Sequence, residues 1–201
     1  MQTYSTTDII RLLQTKQLSL ITLNDFGKLF NIDNRQSLYK KIARLEKSQI
    51  VQKLIKGKYH FLFNPTNDYV IANFLYQPSY VSLESALSFY GIITGFPYQI
   101  TSISIKPTKS IEINLKDSLE KKEFRYSQIE NSLFWGYEKQ EDFLIAQKEK
   151  ALLDYIYFGI KGLRNINLDE MDLSEINKSK LASYTKKINN KQITKIIKSI
   201  L

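Results

Sequence analysis

The chain has 201 residues, one histidine, no cysteine and a formal net charge of +9. The missing cysteines exclude disulfides, thiolate metal sites and cysteine nucleophiles, and they fit a reducing cytoplasm. No apolar run approaches the roughly 18 residues a membrane span needs, and MQTYSTTDII lacks a basic segment ahead of an apolar one, so no signal peptide is expected.

Hydrophobic residues at 43% and aromatics at 12% supply a packed core and argue against disorder. The charge is unevenly spread. Residues 1–65 carry 11 Lys/Arg against 4 Asp/Glu, while residues 66–201 carry 18 against 16. A cationic excess concentrated in one third of a chain is the electrostatic footprint of a polyanion-binding module, although clustering in a Lys-rich composition produces it too.

Thr6 or Thr7 is placed to cap a first helix running to about Thr15, with Ile9, Ile10, Leu12 and Leu13 as its apolar stripe. Leu18 to Ile21 reads as a brief extended segment. Thr22 then caps a second helix, with Asp25 three residues on, close to a capping box, and Leu23, Phe26, Leu29 and Phe30 inward. Asn31 to Asn34 suits a turn. A third helix starts near Arg35, and the spacing of Leu38, Ile42 and Leu45 puts them on one face.

The opposite face of that helix carries Gln36, Lys40, Ala43, Arg44 and Lys47, flanked by Tyr39 and Lys41, with Ser37 in the first turn. Gln36 suits adenine, Arg35 and Arg44 suit guanine or phosphate, and Lys40, Lys41 and Lys47 suit phosphates. A hairpin follows, Ile50 to Leu54 and Lys58 to Phe63, turned at Gly57 and crowded with Lys53, Lys56 and Lys58. Basic helix then basic hairpin is the layout of a recognition helix and wing. Taken alone, the cationic face equally describes a solvated helix. His60, beside Tyr59 and Phe61, reads as packing.

Pro65 to Asp68 and Pro78 mark breaks around an apolar stretch from Tyr69 to Tyr76, read as a short helix or strand. The expected organisation is a winged helix-turn-helix over 1–65, a linker over 66–80 and a C-terminal domain over 81–201. In the latter, Ser82 is expected to cap a helix with Leu83, Ala86, Leu87 and Tyr90 inward and Gly91 at its end. Ile100 to Lys106 alternates as a strand exposed on one side. Further strands are expected at Ile111–Leu115, Lys122–Ile129, Leu133–Tyr137 and Asp142–Ala146. Helices are expected over Gln147–Phe158, with Ala151, Leu152, Tyr155 and Ile156 inward, over Ser174–Ile188 and over Lys191–Leu201. The class is α+β, the second domain a mixed α/β one with a mainly antiparallel sheet.

The segments PSYVSLESALSFYGII, FRYSQIENSLFWGYEK and IAQKEKALLDYIYF, in that order, carry a resemblance. Ser82, Glu84, Ala86, Tyr90 and Gly91, then Phe124 and Tyr126, then Phe134, Gly136 and Tyr137, then Ala146 and Glu149 to Asp154 match the pattern of the AbiEi-type antitoxins, transcriptional regulators of phage-defence systems. Lys148 stands where that family often has Pro. The resemblance spans roughly residues 5 to 160. It implies an N-terminal winged helix-turn-helix and a C-terminal antitoxin domain. It also implies autorepression through inverted repeats in the protein's own promoter; two copies on such a repeat, a dimer on DNA, would give a symmetric footprint. The implied second partner is a nucleotidyltransferase-like toxin in a type IV system, where a stable complex is not required. No cofactor, metal or membrane is implied, and no enzymatic activity.

Glu149, Lys150 and Asp154 read two ways. They are candidates for an antitoxin surface; equally, Glu149 favours a helix N-terminus and Lys150 with Asp154 forms an i,i+4 pair. Lys178, Lys180, Lys186, Lys187, Lys191, Lys195 and Lys198 offer either a second DNA-facing surface or a solvated face. The alternatives left open are neutralisation of the toxin by direct binding, a general winged-helix regulator without an antitoxin role, and RNA binding. An enzyme is disfavoured, because the sequence shows no Gly-rich phosphate loop, metal-ligand cluster or nucleophile–base pairing with histidine.

Overall fold

The computed structural model describes residues 4–95, 97–116 and 121–200. The chain is α+β and divides into two compact units, residues 1–75 with 113–121, and residues 76–112 with 122–201. The division after residue 75 falls inside the stretch expected to be a linker, and it assigns that stretch's helix to the first unit.

The first unit opens with α1 (Thr6–Thr15), β1 (Leu20–Thr22), α2 (Leu23–Leu29) and α3 (Arg35–Lys47). The cap of α1 is Ser5, not Thr6 or Thr7. Its side chain accepts from the Asp8 amide at 3.2 Å, while the Asp8 carboxylate accepts from the Ser5 amide at 3.0 Å, and only this reciprocity selects among three adjacent hydroxyl residues. Thr22 caps α2 as its spacing to Asp25 predicts, and Asn34 caps α3 by accepting from the Ser37 amide at 2.9 Å. The hairpin is β2 (Val51–Ile55) and β3 (Lys58–Phe61), turned at Gly57 with φ +78°. The three strands form an antiparallel sheet in the order β1-β3-β2, with Leu20 opposite His60 and Val51 opposite Phe61.

Ile9 and Leu13 of α1, Phe26 of α2, Leu38, Ile42 and Leu45 of α3, and Val51, Tyr59 and Phe61 of the hairpin bury together. His60 is buried as well, its Nε2 3.4 Å from the Asn64 carbonyl, so the ring packs inside. Asn64 ties the end of the hairpin back to the first helix, donating to the carbonyls of Leu13 at 3.1 Å and Leu18 at 3.0 Å. The unit also holds α4 (Asp68–Leu75), with Ile71, Ala72 and Leu75 buried.

The second unit is built on a six-stranded sheet, order β6-β7-β5-β4-β9-β8. Its strands are β4 (Ser79–Val81), β5 (Gln99–Ser104), β6 (Lys109–Asn114), β7 (Lys121–Gln128), β8 (Tyr137–Gln140) and β9 (Phe143–Ala146). The sheet expected to be mainly antiparallel contains both orientations. β4 pairs antiparallel with β5 and β8 with β9, but β4 runs parallel to β9 and β5 parallel to β7, so the sheet is mixed. β5 lies inside the sheet and is buried on both faces, not exposed on one. Two of its polar side chains are met internally: Ser104 donates to the Pro78 carbonyl at 2.7 Å, and Thr101 donates to the Ser82 carbonyl at 2.8 Å, while the buried Ser102 hydroxyl has no hydrogen-bond partner among the described residues.

Helices α5 (Leu83–Phe89), α6 (Lys148–Ile160), α7 (Lys178–Ile188) and α8 (Lys191–Lys198) complete the unit. Ser82 precedes α5, but its hydroxyl makes no cap bond. The Ser85 amide instead donates to the Thr101 hydroxyl on β5 at 3.1 Å. Leu83, the first residue of α5, takes φ +56°, a left-handed backbone that costs a leucine about 1–2 kcal/mol. The strand expected at Leu133–Tyr137 is a 3-10 turn, Asn131–Leu133, followed by Gly136 at φ +76°, and β8 starts only at Tyr137. The helix expected from Ser174 begins at Lys178, capped by Asn177, and Leu201 of the expected last helix lies outside the described residues. No helix is long and apolar enough to cross a membrane among the described residues.

Because Asn34 supplies the only side-chain cap of α3, Asn34→Ala is expected to lower the stability of the first unit by about 1 kcal/mol. Chemical denaturation of the variant beside the parent checks it.

Candidate functional site

Two groups of residues stand out, one in each unit. In the first, α3 turns Leu38, Ile42 and Leu45 into the core, which leaves Arg35, Gln36, Ser37, Tyr39, Lys40, Arg44 and Lys47 exposed on the remaining face. Lys53 and Lys56 are exposed on the following hairpin, Lys56 next to the Gly57 turn. Among the described residues no carboxylate pairs with the six cations Arg35, Lys40, Arg44, Lys47, Lys53 and Lys56. The Arg35 guanidinium lies 6.0 Å from the centroid of the Tyr39 ring.

Two sequence candidates are held differently. Lys41 donates its ammonium to the Tyr4 carbonyl at 2.8 Å, which pins the segment ahead of α1. Lys58 donates to the carbonyls of Phe74 and Leu75, the latter at 3.1 Å, and lies 5.0 Å from the Phe74 ring centroid. These carbonyls end α4, where the helix dipole favours a cation. Both lysines are therefore engaged in the packing of the unit. Their partners are far along the chain, and nothing in the spacing signals them.

In the second unit, Glu149, Lys150 and Asp154 gather at the first turns of α6, and all three are buried: 4%, 1% and 1% exposed. Lys150 and Asp154 form the i,i+4 ion pair the spacing predicts. The sequence does not announce the partners that surround it. Lys150 donates to the Tyr80 hydroxyl at 3.0 Å, and Asp154 accepts from the hydroxyls of Tyr80 at 3.1 Å and Ser82 at 2.9 Å. Burial pushes the Asp154 carboxyl up, against the pull of the Lys150 ammonium and of the two hydroxyls. Burial, then the neighbouring Asp154 charge, drives the Tyr80 phenol well above its ordinary value.

Aromatic rings wall the pair. Tyr80 stacks on Tyr137 at 4.8 Å and lies 5.0 Å from Phe134, and the Lys150 ammonium is 5.2 Å from the Trp135 ring. Gly136 runs its backbone along the lysine stem; a Cβ there would come within 3.0 Å of Lys150 Cγ. Tyr126 is wholly buried and Tyr90 half-buried, its phenol pushed up to about 12 by burial and then by Glu138 and Glu149.

Glu149 faces the other way and holds α7. It accepts from the Asn177 amide at 3.0 Å and pairs with Lys180 at 3.1 Å. Burial pushes its carboxyl up, but the amides of Glu149 itself and Asn177, together with Lys180, outweigh that and hold it below the usual range. Next to it Tyr184 donates to the Gln147 side chain at 2.5 Å, and Lys148 pairs with Glu175 at 3.2 Å. Of the C-terminal lysines, Lys187 lies over the Trp135 ring at 4.5 Å, while Lys186, Lys191, Lys195 and Lys198 are exposed.

Glu149, Lys150 and Asp154 thus sit inside the unit, where they can hold elements together but cannot meet a partner. Among the described residues no group of three or more His, Asp or Glu side chains is placed to hold a metal ion.

Removing one member of a buried ion pair strands the other, so Lys150→Met is expected to destabilise the protein by about 3–5 kcal/mol. The double variant Lys150→Met/Asp154→Leu should recover part of that loss in denaturant titration, with the unpartnered Tyr80 and Ser82 hydroxyls accounting for the rest. Glu149, whose folded-state carboxyl is depressed, contributes stability that is present above the unfolded glutamate range and lost as pH falls through its folded value. Glu149→Gln should remove that acid-side fall from a pH series of unfolding midpoints. No protein-family model matches the chain, and no curated protein matches it either.

Proposed function

We propose that the protein is a DNA-binding transcriptional autorepressor and the antitoxin of a type IV toxin–antitoxin system. In this reading α1 to α3 with the β2–β3 hairpin act as a winged helix-turn-helix, and α3 is its recognition helix. The observation that carries it is the division of α3: Leu38, Ile42 and Leu45 buried, and Arg35, Gln36, Lys40, Arg44 and Lys47 bare on the other side. A hairpin with Lys53 and Lys56 exposed follows directly. A helix anchored on one side and cationic on the other fits the major groove, while lysines on an adjacent turn suit the flanking phosphates.

The partners of this reading are double-stranded DNA, as inverted repeats in the protein's own promoter, and a nucleotidyltransferase-like toxin. Two copies on the repeat account for the symmetry of such a site. The antitoxin role rests on the resemblance carried by the segments between Ser79 and Phe158. Since Glu149, Lys150 and Asp154 are buried, an antitoxin surface has to use other residues of the second unit.

A gel-shift series with the full-length protein and its upstream region tests the reader. Binding is expected to fall steeply with salt, as lysines and arginines displace condensed counterions. Lys40→Ala should weaken binding to every duplex alike and flatten the log–log salt slope by about 0.9. Lys58→Ala should leave that slope unchanged, its ammonium being committed to α4. No shift at low salt counts against the reading. Co-expression of the adjacent toxin gene with a Lys40→Ala/Lys47→Ala protein tests the second role: growth should be rescued although repression is lost.

A further inference from the structure

Arg35 and Arg44 both stand bare on α3, and either planar fork matches the O6 and N7 acceptors of guanine. Their surroundings separate them. Arg35 is the first residue of the helix, next to the Asn34 cap, whereas Arg44 lies in the last turn. In a helix laid along the major groove the first turn meets base edges. The Arg35 guanidinium also has a support. Tyr39 follows it by one turn, on the same side of the helix, and the cation sits 6.0 Å from the ring centroid. Tyr39 is 42% exposed, a large aromatic left in water in the middle of a cationic face. Arg44 has no ring against it among the described residues.

We propose that Arg35, braced by Tyr39, reads a guanine, and that Arg44 contacts phosphate. The proposal rests on the DNA-binding reading above. Arginine has many rotamers, and a fork already held against a ring loses less freedom when it donates two parallel N–H bonds to one base. Tyr39 is the positioning residue; the face of its ring does the bracing, and its hydroxyl is not required. Lysine at residue 35 would keep the charge but lose the fork.

The test selects duplexes from a randomised pool with the full-length protein, then replaces each guanine of the winning duplex by 7-deazaguanine. That base keeps Watson–Crick pairing and lacks the N7 acceptor. At one guanine the replacement is expected to weaken wild-type binding by about tenfold, within the range for a bidentate arginine contact. Arg35→Lys and Tyr39→Leu should bind both duplexes nearly alike, while Tyr39→Phe and Arg44→Lys keep the discrimination. The thermal midpoint and salt slope of Tyr39→Leu should match the parent, because neither core nor phosphate contacts change. Loss of discrimination in Arg35→Lys with full discrimination in Tyr39→Leu overturns the brace, and discrimination lost with Arg44 instead overturns the assignment. A wild-type protein that binds duplexes without preference overturns the guanine reading alone, whereas one that binds no duplex at low salt overturns the DNA-binding reading beneath it.

Discussion

The buried Lys150–Asp154 pair is the constraint around which the second unit is arranged. An ion pair removed from water persists only where its remaining donors and acceptors are met. The hydroxyls come from Tyr80 on β4 and from Ser82 at the start of α5. Room for the lysine stem comes from Gly136, and the wall from Phe134, Trp135 and Tyr137. Strand, helix start and glycine turn must therefore arrive together.

The first unit answers a different demand. Among the described residues it leaves the six cations of α3 and the hairpin without a carboxylate partner while using two others for its own packing, Lys41 on the Tyr4 carbonyl and Lys58 on the end of α4. Like charges crowded on one small unit repel one another, and turning some of them onto backbone carbonyls lowers that cost without lowering the net charge. The result is a cationic face narrower than the count of lysines suggests.

Much of the local structure was legible in the sequence. The Thr22 cap, the turn before Arg35, the spacing of Leu38, Ile42 and Leu45, the Gly57 turn and the i,i+4 partnership of Lys150 with Asp154 all follow from neighbours within a few residues. What failed depended on distance. The Ile/Ser alternation of β5 reads as one wet face, yet Ser104 and Thr101 are met by Pro78 and Ser82 from elsewhere in the chain. Strand order, and with it the mixed sheet, has no local signature. Leu133 to Tyr137 has strand-like composition, but Gly136 takes a backbone that a strand does not, because Lys150 lies against it. The candidate triad of α6 was legible as residues and spacing and illegible as a buried core, since Tyr80 and Ser82 approach from 70 and 72 positions away.

Trp135, the sole tryptophan of the chain, lies near two ammonium groups, Lys150 at 5.2 Å and Lys187 at 4.5 Å from its ring centroid, with the Tyr184 ring edge-on at 4.9 Å. An indole is an optical reporter, and its emission follows the polarity and charge around it. Every intrinsic tryptophan signal from this protein therefore originates in the second unit, at the point where its buried charge meets the C-terminal helices. The first unit holds no tryptophan, so this emission follows the second unit by itself in the intact chain, without any label.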